Sequence, residues 1–562
     1  MMKSYHYGFY RKFVSILRQN SLWLSLAFLI PYFQLFQGMC VADLGFSLSL
    51  YKYFFDKVEF MGTSNMTWLT NFVGACWYNL FSDKVIAFRL LFALFINACT
   101  FVGLFALKDI KLKYKVFGIF LCVLWLNKAC LTWFYYDHLS SFLCLVSAFS
   151  LIQYFRSKQN LLIYLAGFFT GLAFFARPPI ICSALMCLVF LFPPDDSFSL
   201  KNFSIQLFRY FSGIAVGIAL CSVLIVLFHH EESLLRSFQA IENIKPGSSY
   251  IYSPDNLLLG FTYINSVALL SGIIFVALFC LWLRFGAIFS KTLLFPFTIF
   301  FFLFLSFNTP YWWYYFFPGI LFLQFFEAII KEKSSRYLSI ISIILIVAPN
   351  FCSNPGQGTR NSIYGMWFAI PLLISHLFEK KIFLLKPLKV YRAQFLMGLI
   401  LYSIWLFSYG VIDDEHFRSR MLSPLKDPKL QFTFTTPERA KLVDELIDRV
   451  NSLNDYPYAI CFDRIPIVHY LTDKLPYLNS VWPNFQPIGV IENNLWLGKS
   501  RGLPLPMIVH SNFDTQRIWP EIEYPSNFQS QFGQLMFNFM KENKYKKIWE
   551  NQMFAIFLPG GK

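Results

Sequence analysis

Four charged groups in this sequence combine residue type and position in a way that could do chemistry. Asp43 lies just past the first hydrophobic segment, in Met39-Cys40-Val41-Ala42-Asp43-Leu44-Gly45. A carboxylate there could take a proton from an attacking hydroxyl, or help hold a metal on a phosphate. The plain alternative is a solvated loop acid. Asp137 and His138 form an acid–imidazole pair in the aromatic turn Trp133-Phe134-Tyr135-Tyr136. Such a pair could contact a sugar or a phosphate; equally, Asp137 could cap the helix that starts at Leu139. Arg177 closes the run Phe174-Phe175-Ala176 and precedes Pro178 and Pro179. A guanidinium suits a phosphate, or it snorkels to ordinary lipid headgroups. Arg360, at the end of Asn354-Pro355-Gly356-Gln357-Gly358-Thr359, is a second candidate phosphate contact.

These groups have to be positioned by membrane helices. The chain has 562 residues, 56% of them hydrophobic and only 14% charged, with a mean hydropathy of +0.49. A soluble chain of this length needs more polar surface, so the composition indicates a polytopic α-helical membrane protein. Runs long enough to cross a bilayer fall at 22–38, 85–107, 116–132, 139–155, 161–176, 179–193, 206–228, 257–283, 292–308, 312–330, 337–350, 363–378 and 394–412. That makes about thirteen spans.

The net charge of +16 is distributed as a topology signal. Lys3, Arg11, Lys12 and Arg18 precede the first span, and Lys108, Lys111, Lys113 and Lys115 follow the second. Arg156, Lys158, Lys201, Arg284, Lys331, Lys380 and Lys381 continue on the same side. The positive-inside rule then puts the N-terminus in the cytoplasm and Asp43, Asp137 and Arg177 together at the outer face. The basic balance therefore does not point to nucleic acid. The N-terminus lacks a small-residue cleavage site, so 22–37 is expected to be a retained span.

Two further regions stand out. In the first outer loop, about 39–84, Trp68, Leu69, Phe72, Val73, Cys76, Trp77, Leu80 and Phe81 recur at helical spacing. That predicts a helix lying in the membrane interface, with a second apolar, surface-lying helix over 46–55 ahead of it. From Asp413 on the composition turns polar. The chain thus divides into a membrane part, 1–412, and a small extracytoplasmic α/β domain, 413–562. In the latter, Thr435-Thr436-Pro437-Glu438 is a helix start. Strands are expected at 458–462 and 507–510, a helix at 528–541, and a terminal hairpin around Asn551.

The remaining candidates read more simply as structure. Asp56, Glu59 and Asp83 sit beside Lys57 and Lys84. His229 and His230 precede two acids, as a solvated span end would. Tyr311-Trp312-Trp313-Tyr314-Tyr315 reads as an aromatic belt. Asn65-Met66-Thr67 fits a glycosylation sequon, which matters only in a eukaryotic secretory setting. The twelve cysteines show neither a disulfide framework nor zinc spacing. No nucleotide-binding glycine motif is present, so no nucleotide cofactor is expected.

Taken in order, these residues resemble the GT-C integral-membrane glycosyltransferases, in particular the bacterial branch of aminoarabinose transferase and the relatives of protein O-mannosyltransferases. Asp43 and the loop to Phe81, the passage Trp77–Phe81 into Ile86–Leu90, the turn Asp137-His138-Leu139-Ser140 and the glycine-rich run Gly167–Pro179 carry the likeness. The strong motifs cover about residues 40–180. Asp43 is followed by Leu44 where the family often has a second acid, which leaves a divalent metal ion an open question. The Trp-Trp-Asp signature of oligosaccharyltransferases is absent.

The resemblance implies a bacterial plasma-membrane enzyme that moves a sugar from a polyprenyl-phosphate donor to a lipid, glycan or protein acceptor, with membrane lipids as its other partners. It implies Asp43 as general base with inversion, Arg177 and Arg360 on the lipid phosphate, and Asp137 and His138 orienting the sugar or contributing to a metal or phosphate site. The competing readings are a surface-polysaccharide ligase or polymerase and, in another class, a lipid or sugar transporter. A transporter usually places its charges at mid-membrane.

Overall fold

The computed structural model describes residues 20–62, 64–129, 131–193, 198–242, 336–347, 363–379, 400–401, 403–405, 407–408, 414, 416–515, 519–520 and 531–560. The spans expected at 257–283, 292–308 and 312–330, most of that at 394–412, the 311–317 aromatic run and Arg360 lie outside these residues.

Apolar runs become helices where expected. They are α1 (Asn20–Phe33), α2 (Asp43–Tyr53), α3 (Trp68–Leu80), α4 (Val85–Ala106), α5 (Leu112–Ala129), α6 (Tyr136–Ser157) and α7 (Leu161–Ala176). A 3-10 helix at Pro178–Leu191 follows, then α8 (Leu200–Leu227), α9 (Glu231–Glu242), α10 (Arg336–Val347) and α11 (Ile363–Glu379). Among the described residues α4, α6 and α8 are long and apolar enough to cross a membrane. Large apolar side chains such as Phe101, Phe208, Val216 and Val226 stay exposed along α4 and α8, as lipid-facing positions do. At the end of the bundle away from Asp43, Arg156 pairs with Asp109 at 2.5 Å.

α7 and α8 come close enough for backbone contact, and glycine is the reason. Gly167 and Gly171 face the backbone of Tyr210 and Ile214, and Gly213 and Gly217 face that of Tyr164 and Phe168. A Cβ at Gly167 would stand 1.9 Å from the Tyr210 carbonyl oxygen. Each helix thus presents a small-xxx-small stripe to the other. This packing fixes the C-terminal end of α7, where Arg177 sits.

The C-terminal unit is a mixed sheet in the order β4-β3-β5-β7-β6. Its strands are β3 (Tyr458–Phe462), β4 (Leu475–Pro476), β5 (Met507–Ser511), β6 (Lys546–Glu550) and β7 (Phe554–Leu558). β3 is parallel to β4 and β5, while β7 runs antiparallel to β5 and β6. A small ribbon, β1 (Ser423–Pro424) with β2 (Phe434–Thr435), precedes it. Its helices are α12 (Pro437–Asn451), α13 (Ile467–Thr472), α14 (Ile488–Ser500) and α15 (Gln531–Glu542). Thr436 caps α12 by accepting from the Arg439 N–H.

Two expectations about the first loop need correction. α2 does not lie on the surface: eight of its eleven residues are buried, because α13 covers it. Gly45 makes this approach feasible, since a Cβ there would stand 2.2 Å from the Ile467 nitrogen. Ser49 donates to the Pro466 carbonyl, and Lys52 donates to the His469 carbonyl and pairs with Asp473. Replacing Gly45 with Val is expected to force these helices apart. The cost is about 1–3 kcal/mol, read as a lower thermal midpoint of the purified protein.

α3 forms where the apolar stripe predicts it, but part of its polar side is buried as well. Thr70, Asn71, Gly74 and Ala75 pack inward, whereas Leu80 and Phe81 at its end are exposed. Of the apolar stripe, Trp68 is fully buried and Leu69, Phe72, Val73 and Trp77 pack partly against the core, so only the C-terminal end of the helix turns large apolar side chains outward. Asn65 is fully buried and donates to Ser233 Oγ, so its sequon is closed to modification in this fold.

Two histidines of the sheet unit are buried. Burial pushes His469 and His510 down from their ordinary value of 6.5 to about 4. Both are neutral bases in the fold, so the stability they lend is present above pH 6.5 and drains away as pH falls through 4. The expected loss is on the order of a few kcal/mol between those limits. Melting curves from pH 7 to 4 should slope downward, and should do so less steeply in a His469→Asn/His510→Asn variant.

Candidate active site

Asp137 and Arg177 meet. Arg177 Nη1 donates to Asp137 Oδ1 at 2.7 Å, with side chains 7% and 17% exposed. The guanidinium also lies over the Tyr136 ring, 5.2 Å from its centroid, in cation–π range. Local sequence explains both placements. Arg177 ends α7 because Pro178 follows it, and the residue before a proline favours extended backbone; its φ is −160° and ψ 103°. A cation at a helix C-terminus and an acid in the first turn of a helix both sit favourably in the helix dipoles. Asp137 is in the first turn of α6. Thr70 of α3 donates to the Ala176 carbonyl at 3.1 Å, which ties the interfacial helix to this turn.

Asp43 reaches the same place through α2. Ser47, one turn on, donates to the Asp43 carbonyl at 2.9 Å and accepts from Trp133 Nε1 at 3.4 Å. Tyr51 donates to the Phe134 carbonyl at 3.0 Å. The helix that begins with Asp43 is therefore fastened to the strand of chain leading into Tyr135, Tyr136 and Asp137. Burial holds the Tyr135 hydroxyl protonated well above its ordinary range, and the neighbouring Tyr136 hydroxyl and the Asp43 and Asp137 carboxylates reinforce this. The Tyr135 and Tyr136 rings lie against each other, 3.8 Å between centroids and tilted by 37°. The result is a half-buried corner in which one acid, an acid–guanidinium pair and two tyrosines share one end of the helix bundle.

The other sequence candidates fall elsewhere. His138 is 3% exposed, packs edge-on against Phe92, and its Nδ1 accepts the Tyr135 N–H at 3.1 Å. That bond closes the first turn of α6, a task the sequence reading had offered to Asp137. His230 accepts from Trp68 Nε1 at 3.1 Å and joins α3 to the end of α8. Asp56 and Glu59 are exposed. Among the described residues no three His, Cys, Asp or Glu side chains converge as a metal would require; Asp137 is engaged by Arg177.

The sequence reading passed over Tyr135, Tyr136, Ser47 and Trp133 as site residues. It also passed over Arg89, although a charge within an apolar helix is a usable signal. Arg89 is 1% exposed and donates to the Leu35 carbonyl at 2.8 Å and to the Gly38 carbonyl. It holds the turn that leads to Asp43.

In fold the chain is similar to a solved structure over nearly its whole length. The crystal structure of ArnT from Cupriavidus metallidurans bound to undecaprenyl phosphate matches with a TM-score of 0.51 at 9% identity, over 96% of this chain and 97% of that one. Two structures of the Archaeoglobus fulgidus oligosaccharyltransferase, one with zinc and sulfate and one apo, match at TM-scores of 0.45 and 0.44. They are 13% and 12% identical, and the matches cover 87% and 88% of this chain and 68% and 69% of theirs. No protein-family model and no curated protein sequence matches the chain.

Proposed function

We propose that this protein is a multi-pass membrane glycosyltransferase that moves a sugar from a polyprenyl-phosphate-linked donor to a lipid, glycan or protein acceptor at the outer face of a bacterial plasma membrane. The observation that carries this reading is the Asp137–Arg177 pair over Tyr136, joined through α2 to Asp43 at one end of the bundle. The ArnT structure bound to undecaprenyl phosphate supports the choice of donor. The layout that goes with it has about thirteen spans, a cytoplasmic N-terminus and an extracytoplasmic C-terminal domain from residue 413.

In the reaction, the acceptor hydroxyl attacks the anomeric carbon from the face opposite the phosphate. Asp43 takes its proton as the new C–O bond forms. The bond between the anomeric carbon and the phosphate oxygen breaks, and its electron pair leaves on the phosphate. Arg177 stabilises that developing charge. Asp137 fixes the guanidinium by one of its five N–H donors, and Tyr136 supports its face. One displacement of this kind inverts the anomeric configuration. In this scheme Tyr135, which keeps its proton, donates a hydrogen bond to the sugar.

The test is transfer by the purified protein. A radiolabelled polyprenyl-phosphate sugar is incubated with it and with envelope extract as acceptor. Label should move to the extract fraction and stay put without protein. Failure with every hexose and pentose donor tried would overturn the reading. Protein-dependent movement of intact donor across a vesicle, without cleavage, would replace it with transport.

A further inference from the structure

The stretch between α1 and α2 is irregular yet buried. Met39, Cys40, Val41 and Ala42 are each at most 2% exposed, and Gly38 has φ +95°. Buried irregular backbone must find hydrogen-bond partners, and here nearly all of them come from far along the chain. Arg89 holds the Leu35 and Gly38 carbonyls. Phe434 donates to the Phe36 carbonyl and accepts from the Gly38 N–H, and the Ile467 N–H binds the Val41 carbonyl.

Met39 is gripped at both of its backbone groups. Its N–H donates to Asp414 Oδ2 at 2.7 Å, and its carbonyl accepts from Arg439 Nη1 at 3.4 Å. Asp414 and Arg439 pair with each other at 3.3 Å, both side chains fully buried. Thr435 Oγ1 donates to Asp414 Oδ2 at 3.0 Å. Arg439 Nε donates to the Trp519 carbonyl at 2.7 Å, and the guanidinium lies 4.3 Å from the Trp519 ring centroid. His416 Nε2 stands 4.0 Å from Asp414 Oδ1. A buried ion pair is a poor way to gain stability compared with apolar packing, and its best-attested use is to specify geometry.

We infer that the buried Asp414–Arg439 pair is a positioning device for Asp43, by which the C-terminal unit clamps the Met39 backbone and so fixes where the base enters the site. The inference rests on the transfer reading of Asp43. The clamp acts four residues before Asp43, and the Phe46 N–H to Ala42 carbonyl bond carries the constraint into α2. Asp414 and Arg439 touch no substrate in this scheme. The C-terminal unit thereby becomes part of the catalytic assembly and not an appendage.

The test uses the full chain in nanodiscs. Asp414→Asn and Arg439→Lys keep hydrogen-bonding capacity but alter the pair, and Thr435→Val is the milder variant should those two fold poorly. Met536→Ala, in the opposite core of the sheet unit, is the control for general loss of stability. The expected result is a kcat lower by about tenfold to a hundredfold, with donor KM within about twofold. Amide exchange in residues 38–44 should accelerate in the same variants, and Thr435→Val should show the same pattern more weakly. Met536→Ala, at a matched melting temperature, should leave both readouts near wild type. Unchanged exchange at 38–44, or an equal kcat loss in Met536→Ala, would overturn the clamp. Should the wild type transfer no sugar, the transfer reading falls, and the exchange data still decide whether the pair holds this segment.

Discussion

Asp43→Asn is expected to abolish sugar transfer while leaving the protein folded. Removing a positioned general base costs typically 10²–10⁴-fold, so kcat should drop by about three orders of magnitude. The substitution is nearly isosteric. The variant keeps the bonds that run through the backbone and the helix: Ser47 donates to its carbonyl, and α2 is fastened to Phe134 by Tyr51. Melting temperature and polyprenyl-phosphate affinity should therefore stay close to wild type, which separates loss of chemistry from loss of structure. Asp43→Glu should recover part of the rate, because the acid is kept and only its reach changes. Initial rates with a labelled donor, corrected for folded fraction, measure the effect. Undiminished turnover in folded Asp43→Asn would remove Asp43 from the mechanism.

Arg177→Ala should lower kcat/KM by about 10²–10³-fold, the loss seen when one donor to a developing oxyanion is removed. Two effects combine. The leaving phosphate loses its counter-charge, and Asp137, 17% exposed at its side chain, is left beside it as an uncompensated anion. Arg177→Lys should fall between wild type and Ala. It keeps the charge but loses the planar face that rests on Tyr136 and the fork that binds oxygens in pairs. A double-mutant cycle with Asp137→Ala separates the two effects. The double variant should be less impaired than the sum of the single ones, because truncating Asp137 also removes the stranded carboxylate. Binding of undecaprenyl phosphate, followed by thermal shift, should weaken in Arg177→Ala and hold in Asp43→Asn. Equal donor affinity and equal rate in folded Arg177→Ala would strip the residue of its assigned part.

Much of the local structure was legible because it obeys local rules. The helix Leu161–Ala176 falls where its apolar run lies, and Pro178 and Pro179 dictate its end. β3 at Tyr458–Phe462 and the antiparallel pair β6–β7 follow from strand-forming residues broken at Asn551. The order of charges along the sequence also suggested that Asp43, Asp137 and Arg177 lie at one end of the bundle. Hydropathy sets the span ends, and alternate span ends share a side.

The division of labour among those groups was not legible. His138 and Asp137 are adjacent in sequence, yet one turns inward to close α6 and the other turns to Arg177. Only the rotation of α6 against α4 and α7 decides that. The helix Trp68–Leu80 shows the same limit. Its period specifies two faces, but not that Thr70 and Gly74 would be buried along with Trp68, because that depends on what packs behind them.

By itself, then, the sequence determined a helical membrane protein, the positions of most of its apolar helices and of strands β3, β5, β6 and β7, and which charges sit where hydrophobic segments end. These follow from hydropathy, periodicity and turn chemistry, which act over a few residues. Tertiary structure alone decided that Arg177 grips Asp137, that α13 covers α2 across Gly45, and that Asp414 and Arg439 close on Met39 from some 375 and 400 residues away. No local propensity encodes such pairings. They exist because buried charges and buried backbone groups must each find a partner, and only the packed chain brings those partners within reach.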